Sequence, residues 1–280
     1  MLMQPVRRRS TRLSAKSVAV RGEAPVVVKN EVVVSRYFSS EPAPPPPGRM
    51  PKRFMEQWNG ILSMRAARDA DVDKYGAEAL PAPDVDPKTM RYHALIAVML
   101  SSQTRDPVTA AAMRRLQCCP GGLTVDSINA MPEEQLRDLI FGVSFYNRKA
   151  HYIKEATRIL SEQYDSDVPN DLDLVCALPG VGQKMAKIAL RIGWGNICGI
   201  SVDTHVHRVC RRLGWTTPKA TTPEKTAAEL ESWVPRELWD QVNLVVVGFG
   251  QQVCKAPYPL CSTCAIREIC PKNGVGSRRR

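Results

Sequence analysis

The sequence predicts an all-α protein on three observations. Beyond Phe54 apolar residues recur at intervals of three and four, the turns between them carry Pro, Gly or Asp, and no set of alternating strands is found. A chain of 280 residues has room for one large domain or two modest ones.

Residues 1–50 are the exception. They hold no persistent period and end in the proline-rich run Pro42 to Pro47, whose fixed backbone angles favour extended geometry over packing, so a disordered basic tail and linker are expected. The tail has no acidic residue before Glu23 and is rich in Arg and Ser. Its stretch Arg36-Tyr37-Phe38-Ser39-Ser40 resembles the surroundings of a mitochondrial presequence cleavage site, and Arg7-Arg8-Arg9-Ser10-Thr11-Arg12 would serve equally as a nuclear address. The expected localisation is therefore nucleus and mitochondrion. No apolar run approaches the ~20 residues that cross a bilayer, so no membrane partner is expected.

Along the helical body, Asp106-Pro107, Met131-Pro132-Glu133-Glu134 and Thr222-Pro223-Glu224 each signal a helix start, because proline in a first turn loses no hydrogen bond. Ile153, Ala156, Thr157 and Leu160 fall on one helical face, with Thr157 its weakest member. Val242 to Phe249 is ambiguous by period, but Leu238 and Trp239 extend it to helix length. Trp194, Trp215, Trp233 and Trp239 sit among apolar neighbours and are expected in the core.

The formal net charge of +11 points to a polyanionic partner, yet it is uneven. Met1 to Arg53 holds eleven Lys or Arg against three Glu, which leaves only about +3 for the rest. Nucleic-acid binding must then rest on a local element. Leu178-Pro179-Gly180-Val181-Gly182-Gln183-Lys184 supplies one, flanked by Leu172, Leu174 and Val175 before it and by Met185, Ala186, Ile188, Ala189 and Leu190 after it. Two helices joined by a tight Gly-x-Gly turn form a helix-hairpin-helix. Its glycines permit positive φ and close approach, and the N–H groups that open the second helix receive a phosphate without reading base sequence.

Lys184 stands in the first turns of that second helix, where the dipole and partial burial both disfavour its charge and a neutral amine is a nucleophile. Asp203, in Val202-Asp203-Thr204-His205-Val206, is a carboxylate at an expected helix N-cap. Taken singly, the first is an ordinary surface lysine and the second an ordinary cap.

Near the C-terminus Cys254, Cys261, Cys264 and Cys270 follow the order C-x6-C-x2-C-x5-C. Four thiolates so closely spaced hold a metal or an iron-sulfur cluster, and spacing alone leaves zinc and a four-iron cluster both open. Cys118, Cys119, Cys176, Cys198 and Cys210 are scattered and read as small buried hydrophobes in a reducing compartment.

Taken together, Leu100-Ser101-Ser102-Gln103-Thr104, Tyr146-Asn147-Arg148-Lys149-Ala150, the LPGVGQK turn, VDTHVHR and the cysteine set resemble, in order from about Pro51 to Pro271, the eukaryotic branch of the endonuclease III family. Members are bifunctional DNA glycosylases and abasic-site lyases of base excision repair. The resemblance implies a six-helix barrel domain at 86–205 carrying the hairpin at about 172–191, and a cluster domain made of 51–85 with 206–280. It implies a structural 4Fe-4S cluster on the four cysteines, and catalysis by Lys184 as a Schiff-base nucleophile with Asp203. Gln103 would fill the gap left by an extruded nucleotide, and Phe145 would enter as a wedge. Gly180, Gly182, Asn147, Lys149, His205 and Arg208 would contact the DNA backbone. The implied partner is duplex DNA carrying oxidised pyrimidines or abasic sites, bound by a monomer. An adenine-removing monofunctional relative, a noncatalytic iron-sulfur or zinc DNA-binding module and a ferredoxin are the rival readings. A lysine at position 184 argues against the first, and the hairpin against the last.

Overall fold

Capping chemistry sets where the helices begin. In the computed structural model, which describes residues 48–275, Asp86 caps α3 (Pro87–Ser101) by accepting from the N–H groups of Lys88 and Thr89, with Pro87 as its first residue. Thr222 caps α11 (Pro223–Glu231) in the same way, and Asp106-Pro107 opens α4 (Asp106–Gln117). The remaining helices are α1 (Phe54–Met64), α2 (Asp71–Tyr75), α5 (Val125–Ala130), α6 (Glu133–Leu139), α7 (Tyr146–Gln163), α8 (Leu172–Cys176), α9 (Gln183–Trp194), α10 (Thr204–Leu213) and α12 (Trp239–Gln252). There is no strand among the described residues, so the fold is all-α. The ambiguous stretch from Val242 lies inside α12. No helix among the described residues is long and apolar enough to cross a membrane.

Two hydrophobic cores organise these helices. The first surrounds α3, whose run from Tyr92 to Leu100 is buried on every side, the pattern of a central helix rather than a surface one. It takes in α4 to α9, and Ala77 and Leu80 pack on its edge. Thr157 of α7 is fully buried there, because its hydroxyl donates to the Ile153 carbonyl and lies 2.6 Å from the Tyr92 hydroxyl. The second core joins chain segments far apart in sequence: α1 packs against residues from Ile200 onward, including α10, α12 and Ile266. Phe54 makes edge contacts with Trp215 and Trp233, each at 4.9 Å between ring centroids. Gln57 of α1 accepts from the Trp215 indole N–H at 2.5 Å and donates to the Ile269 carbonyl at 3.0 Å, so the C-terminal segment is fastened to the N-terminal helix.

Two expectations change, and a third falls outside what the structure describes. Trp194 is 38% exposed, not in the core; its indole N–H donates to the Val168 carbonyl while the Arg91 guanidinium stacks 3.9 Å over the ring. Of the five scattered cysteines only Cys210 is buried, and Cys118 is exposed. The tail, the proline-rich run and both targeting stretches lie outside the described residues.

Candidate active site

The hairpin turn is built by two glycines with different tasks. α8 is capped by Asp171, and the chain then turns with Leu178 and Val181 anchored in the first core. Gly180 has φ +78, and an added Cβ would stand 2.7 Å from the Tyr152 ring, so both backbone and neighbour require glycine. Gly182, the N-cap of α9, has φ −100 and open space around its Cα. The expectation of positive φ at both positions holds for Gly180 only; at Gly182 the missing side chain leaves room for a ligand. No side chain caps α9, so its N-terminus presents amide donors and positive dipole outward.

Lys184 is the second residue of α9. Its side chain is 46% exposed and its Nζ lies 3.6 Å from Oδ2 of Asp203, which is 17% exposed. The expected burial of the lysine is thus slight, and the Asp203 carboxylate is its ion-pair partner. Asp203 divides its oxygens: Oδ1 accepts from the Val206 N–H at 2.8 Å and caps α10, which leaves Oδ2 for the lysine. The cap and the carboxylate that meets the lysine are one group.

Both residues line a groove with about 2010 Å³ of empty space, part of it open to solvent. The part of it that can admit a ligand, about 750 Å³, falls within the ~300–1,000 Å³ of a small-molecule pocket and has room for a nucleoside-sized group. Its walls come from both cores: Val98, Met185 and Ile188 on one side, Val72, Val202 and Val247 on the other. Gln103 and His205 also line it. Sequence reasoning missed Asp106, whose carboxyl burial pushes up, although a 2.9 Å bond from Gln251 opposes this. An Asp in an Asp-Pro helix start carries no local sign of facing a groove.

Gln103 and Phe145 are exposed tips, and both adopt left-handed backbone, φ 52 and φ 58. For residues with a Cβ this costs roughly 1–2 kcal/mol each. Phe145 is 58% exposed, a large apolar side chain held in water. Asn147 is exposed in the first turn of α7. Two expected backbone contacts are placed elsewhere. Lys149 is only 8% exposed and its Nζ donates to the Leu100 and Ser102 carbonyls, because α7 turns that face inward. Arg208 does not line the groove; it donates to the carbonyls of Gly250 and Cys254, bracing α10 against the segment after α12.

Cys254, Cys261, Cys264 and Cys270 line a second cavity of about 370 Å³, together with Leu213, Phe249 and Ile266. Burial pushes the Cys264 and Cys270 thiols up, and the neighbouring thiols add to it. A cationic group in the cavity would reverse that penalty, so the donor set fits a thiolate-bound metal group. No His, Cys, Asp or Glu group among the described residues is arranged around a single-ion site. Arg212 is buried beside the cavity and fixes the first cysteine's loop by donating to the Lys255 and Ala256 carbonyls at 2.7 Å.

Comparison with known proteins gives concordant likenesses. The family model for HhH-GPD superfamily base excision DNA repair proteins matches residues 96–236. The chain is 47% identical over 225 residues to endonuclease III-like protein 1 of Bos taurus, covering 80% of this chain and 73% of the relative. It is 42% identical over 268 residues to the protein of that name from Gallus gallus, covering 94% and 95%. Among solved structures it is similar to a trapped endonuclease III–DNA covalent intermediate, with TM-score 0.67, 27% identity and coverage of 79% and 95%. A non-covalent endonuclease III–DNA complex gives TM-score 0.66, 28% identity and coverage of 80% and 97%.

Proposed function

The chain belongs to the endonuclease III family of helix-hairpin-helix DNA glycosylases, and from that premise we propose that it is bifunctional, excising oxidised pyrimidines from duplex DNA and then nicking the abasic strand. That it is a DNA glycosylase of base excision repair follows from the family. The lyase step and the substrate class are the proposal, and the observation that carries it is the 3.6 Å approach of Lys184 Nζ to Asp203 Oδ2 inside a solvent-open groove with room for one nucleoside.

A base within the stack is out of reach, so the nucleotide must be turned out at a cost of a few kcal/mol that is least for damaged pairs. Asp203 accepts a proton from the Lys184 ammonium, and the free amine attacks the sugar C1′. The C1′–N bond to the base breaks, and the base leaves with the bonding electrons and takes up a proton. Asp203 supplies that proton to the departing base, and the carboxylate so regenerated stabilises the positive charge that develops on the sugar. Loss of the bond between C1′ and the ring oxygen then gives an imine to Lys184. Its electron-poor nitrogen acidifies the C2′ proton, and removal of that proton expels the 3′ phosphate.

Gly180, Gly182 and the uncapped start of α9 would hold a backbone phosphate, with Gln103, Phe145, Asn147 and His205 nearer the lesion. Cys254, Cys261, Cys264 and Cys270, which line one cavity, would hold a 4Fe-4S cluster. When bound, such a cluster supplies four metal–thiolate bonds that fasten the C-terminal segment. Residues 86–205 are read as the barrel domain and 51–85 with 206–280 as the cluster domain; the two cores support this in outline, with Ala77 and Leu80 packing on the first core and Ile200 and Val202 in the second. The active unit is read as a monomer. Delivery to nucleus and mitochondrion belongs to the same reading; residues 1–47 fused to a fluorescent reporter test it, and a reporter left in the cytosol would remove it.

Borohydride trapping tests the chemistry. The reductant is expected to join the wild-type chain covalently to abasic-site duplex and to leave Lys184→Ala unjoined. Absence of a trapped wild-type product would overturn the lyase assignment. Release of bases from a panel of damaged duplexes tests the substrate class, with thymine glycol expected among the best.

A further inference from the structure

Lys149 has the environment of a functional group without touching the groove. Its side chain runs inward from the start of α7, and its Nζ donates to the carbonyls of Leu100 and Ser102, each at 2.6 Å, and to the Thr104 hydroxyl oxygen at 3.2 Å. These acceptors lie on both sides of Gln103. The same Thr104 oxygen accepts from the N–H of Ser144 at 3.2 Å, the residue next to Phe145. One ammonium group thus gathers the end of α3, the Gln103 tip and the Phe145 tip into a single hydrogen-bonded cluster. No carboxylate pairs with it among the described residues. A buried cation with neutral partners is costly, and burial pushes its pKa down to about 8. Uncharged caps would satisfy the same carbonyls at less expense. What the charge adds is strength toward several acceptors at once, and the two residues so gathered are both held in left-handed backbone, as few non-glycine residues here are.

We propose that Lys149 is a positioning residue that clamps the Gln103 and Phe145 tips in the paired, strained arrangement that enters the duplex, so that it governs nucleotide extrusion and not the sugar chemistry at Lys184. This rests on the reading of those two tips as duplex-entering elements given under the proposed function. Without the clamp each tip relaxes to ordinary backbone, and the two no longer meet on opposite sides of one nucleotide. A preformed abasic site asks less of them, since no base has to be unpaired.

The test compares two single-turnover rates on one preparation: base release from thymine glycol paired with adenine, and nicking at a preformed abasic site. For Lys149→Met, base release is expected to fall about 30-fold, the size of losing charge-assisted hydrogen bonds, and nicking less than about threefold. Lys149→Arg, which keeps a permanent cation, is expected to recover part of the loss. Fluorescence of 2-aminopurine beside the lesion, which rises on unstacking, is expected to drop in step with base release. Thr104→Val removes the shared hydroxyl while keeping the lysine, and is expected to give a smaller loss of the same selectivity; it decides the matter if Lys149→Met does not fold. Equal loss of both rates, or loss of neither, overturns the proposal. A wild-type chain that forms no borohydride-trapped product fails the lyase reading instead, so the two failures are separable.

Discussion

At the scale of single residues, the double duty of Asp203 separates chemistry from stability. Asn caps a helix about as well as Asp, so Asp203→Asn keeps the bond to the Val206 N–H while removing the negative charge beside Lys184. Its melting temperature is expected to match wild type, whereas single-turnover base release falls about 10²–10³-fold; an unchanged rate would remove Asp203 from the mechanism. Asp203→Ala should lose about 1 kcal/mol of stability besides. His93 gives a pH-linked counterpart. It is buried in α3, with Nδ1 accepting from the Ala82 N–H at 3.2 Å and Nε2 donating to the Leu123 carbonyl at 3.0 Å, an arrangement that needs the neutral ring. Burial lowers its pKa from the usual 6.5. Between that lowered value and 6.5 the unfolded chain takes up a proton that the folded one refuses, so the histidine's contribution is full above 6.5 and is lost as pH falls. Urea unfolding should show His93→Leu less stable than wild type by about 1–3 kcal/mol at pH 7.5, with the gap closing toward pH 5.5; a constant gap would contradict the assignment. Such roles differ in how far the sequence discloses them. Lys184 and Asp203 stand in motifs whose order marks them, but the direction of a cationic side chain is set by what packs around it. That is why Lys149 and Arg208 read as surface contacts and prove to serve internal carbonyls.

At the scale of elements, local chemistry was the legible part. Asp106-Pro107, Pro132 and Thr222-Pro223 each mark a helix start, the prolines by their fixed φ and Thr222 also by a side-chain cap, because such signals are decided within four residues. The hairpin turn was legible in kind but not in detail, since φ at Gly182 depends on how α8 and α9 meet. The difference between its glycines is testable. Gly180→Ala forces a Cβ into the Tyr152 ring at a left-handed position and is expected to cost roughly 1–3 kcal/mol. Gly182→Ala meets nothing, so its melting temperature should be unchanged while its Kd for undamaged duplex rises several-fold, the added methyl standing where a phosphate approaches the α9 N-terminus. Thermal melts and fluorescence anisotropy on both variants check this. Equal affinity for Gly182→Ala and wild type would show that the phosphate sits elsewhere.

At the scale of the whole molecule, the groove is a property of no single segment. Lys184 comes from the first core and Asp203 from a stretch anchored in the second, and α1, nearly 150 residues earlier in sequence than Asp203, completes that second core. Periodicity shows which faces are apolar but not which distant faces meet, so Asp106 and the second wall of the groove were invisible until the helices were packed. The segment from Cys254 to Val275 has only short turns and few buried side chains, chiefly Ile266, and gains its hold from Gln57, Arg212 and the cysteine cavity. Cys264→Ser should therefore lower the iron content and speed hydrogen exchange in this segment and in α1, leaving α3 protected; uniform acceleration would mean that the two cores unfold together. Charge is arranged on the same large scale. Between Phe54 and Val275 the chain carries 25 Lys or Arg and 25 Asp or Glu, so this body has no net charge, and the excess lies at the two ends. Body and ends should then divide the work, the hairpin fixing register on the duplex and the tail adding non-specific attraction. A chain starting at Gly48 should show a shallower dependence of log K on log salt than the full chain, by about 0.9 for each phosphate the eight basic residues before it neutralise. At saturating duplex the two should excise at the same rate, because the tail contributes to capture and not to the chemistry. Identical salt slopes would show that the first 47 residues touch no phosphate and that the chain from Gly48 onward makes all such contacts.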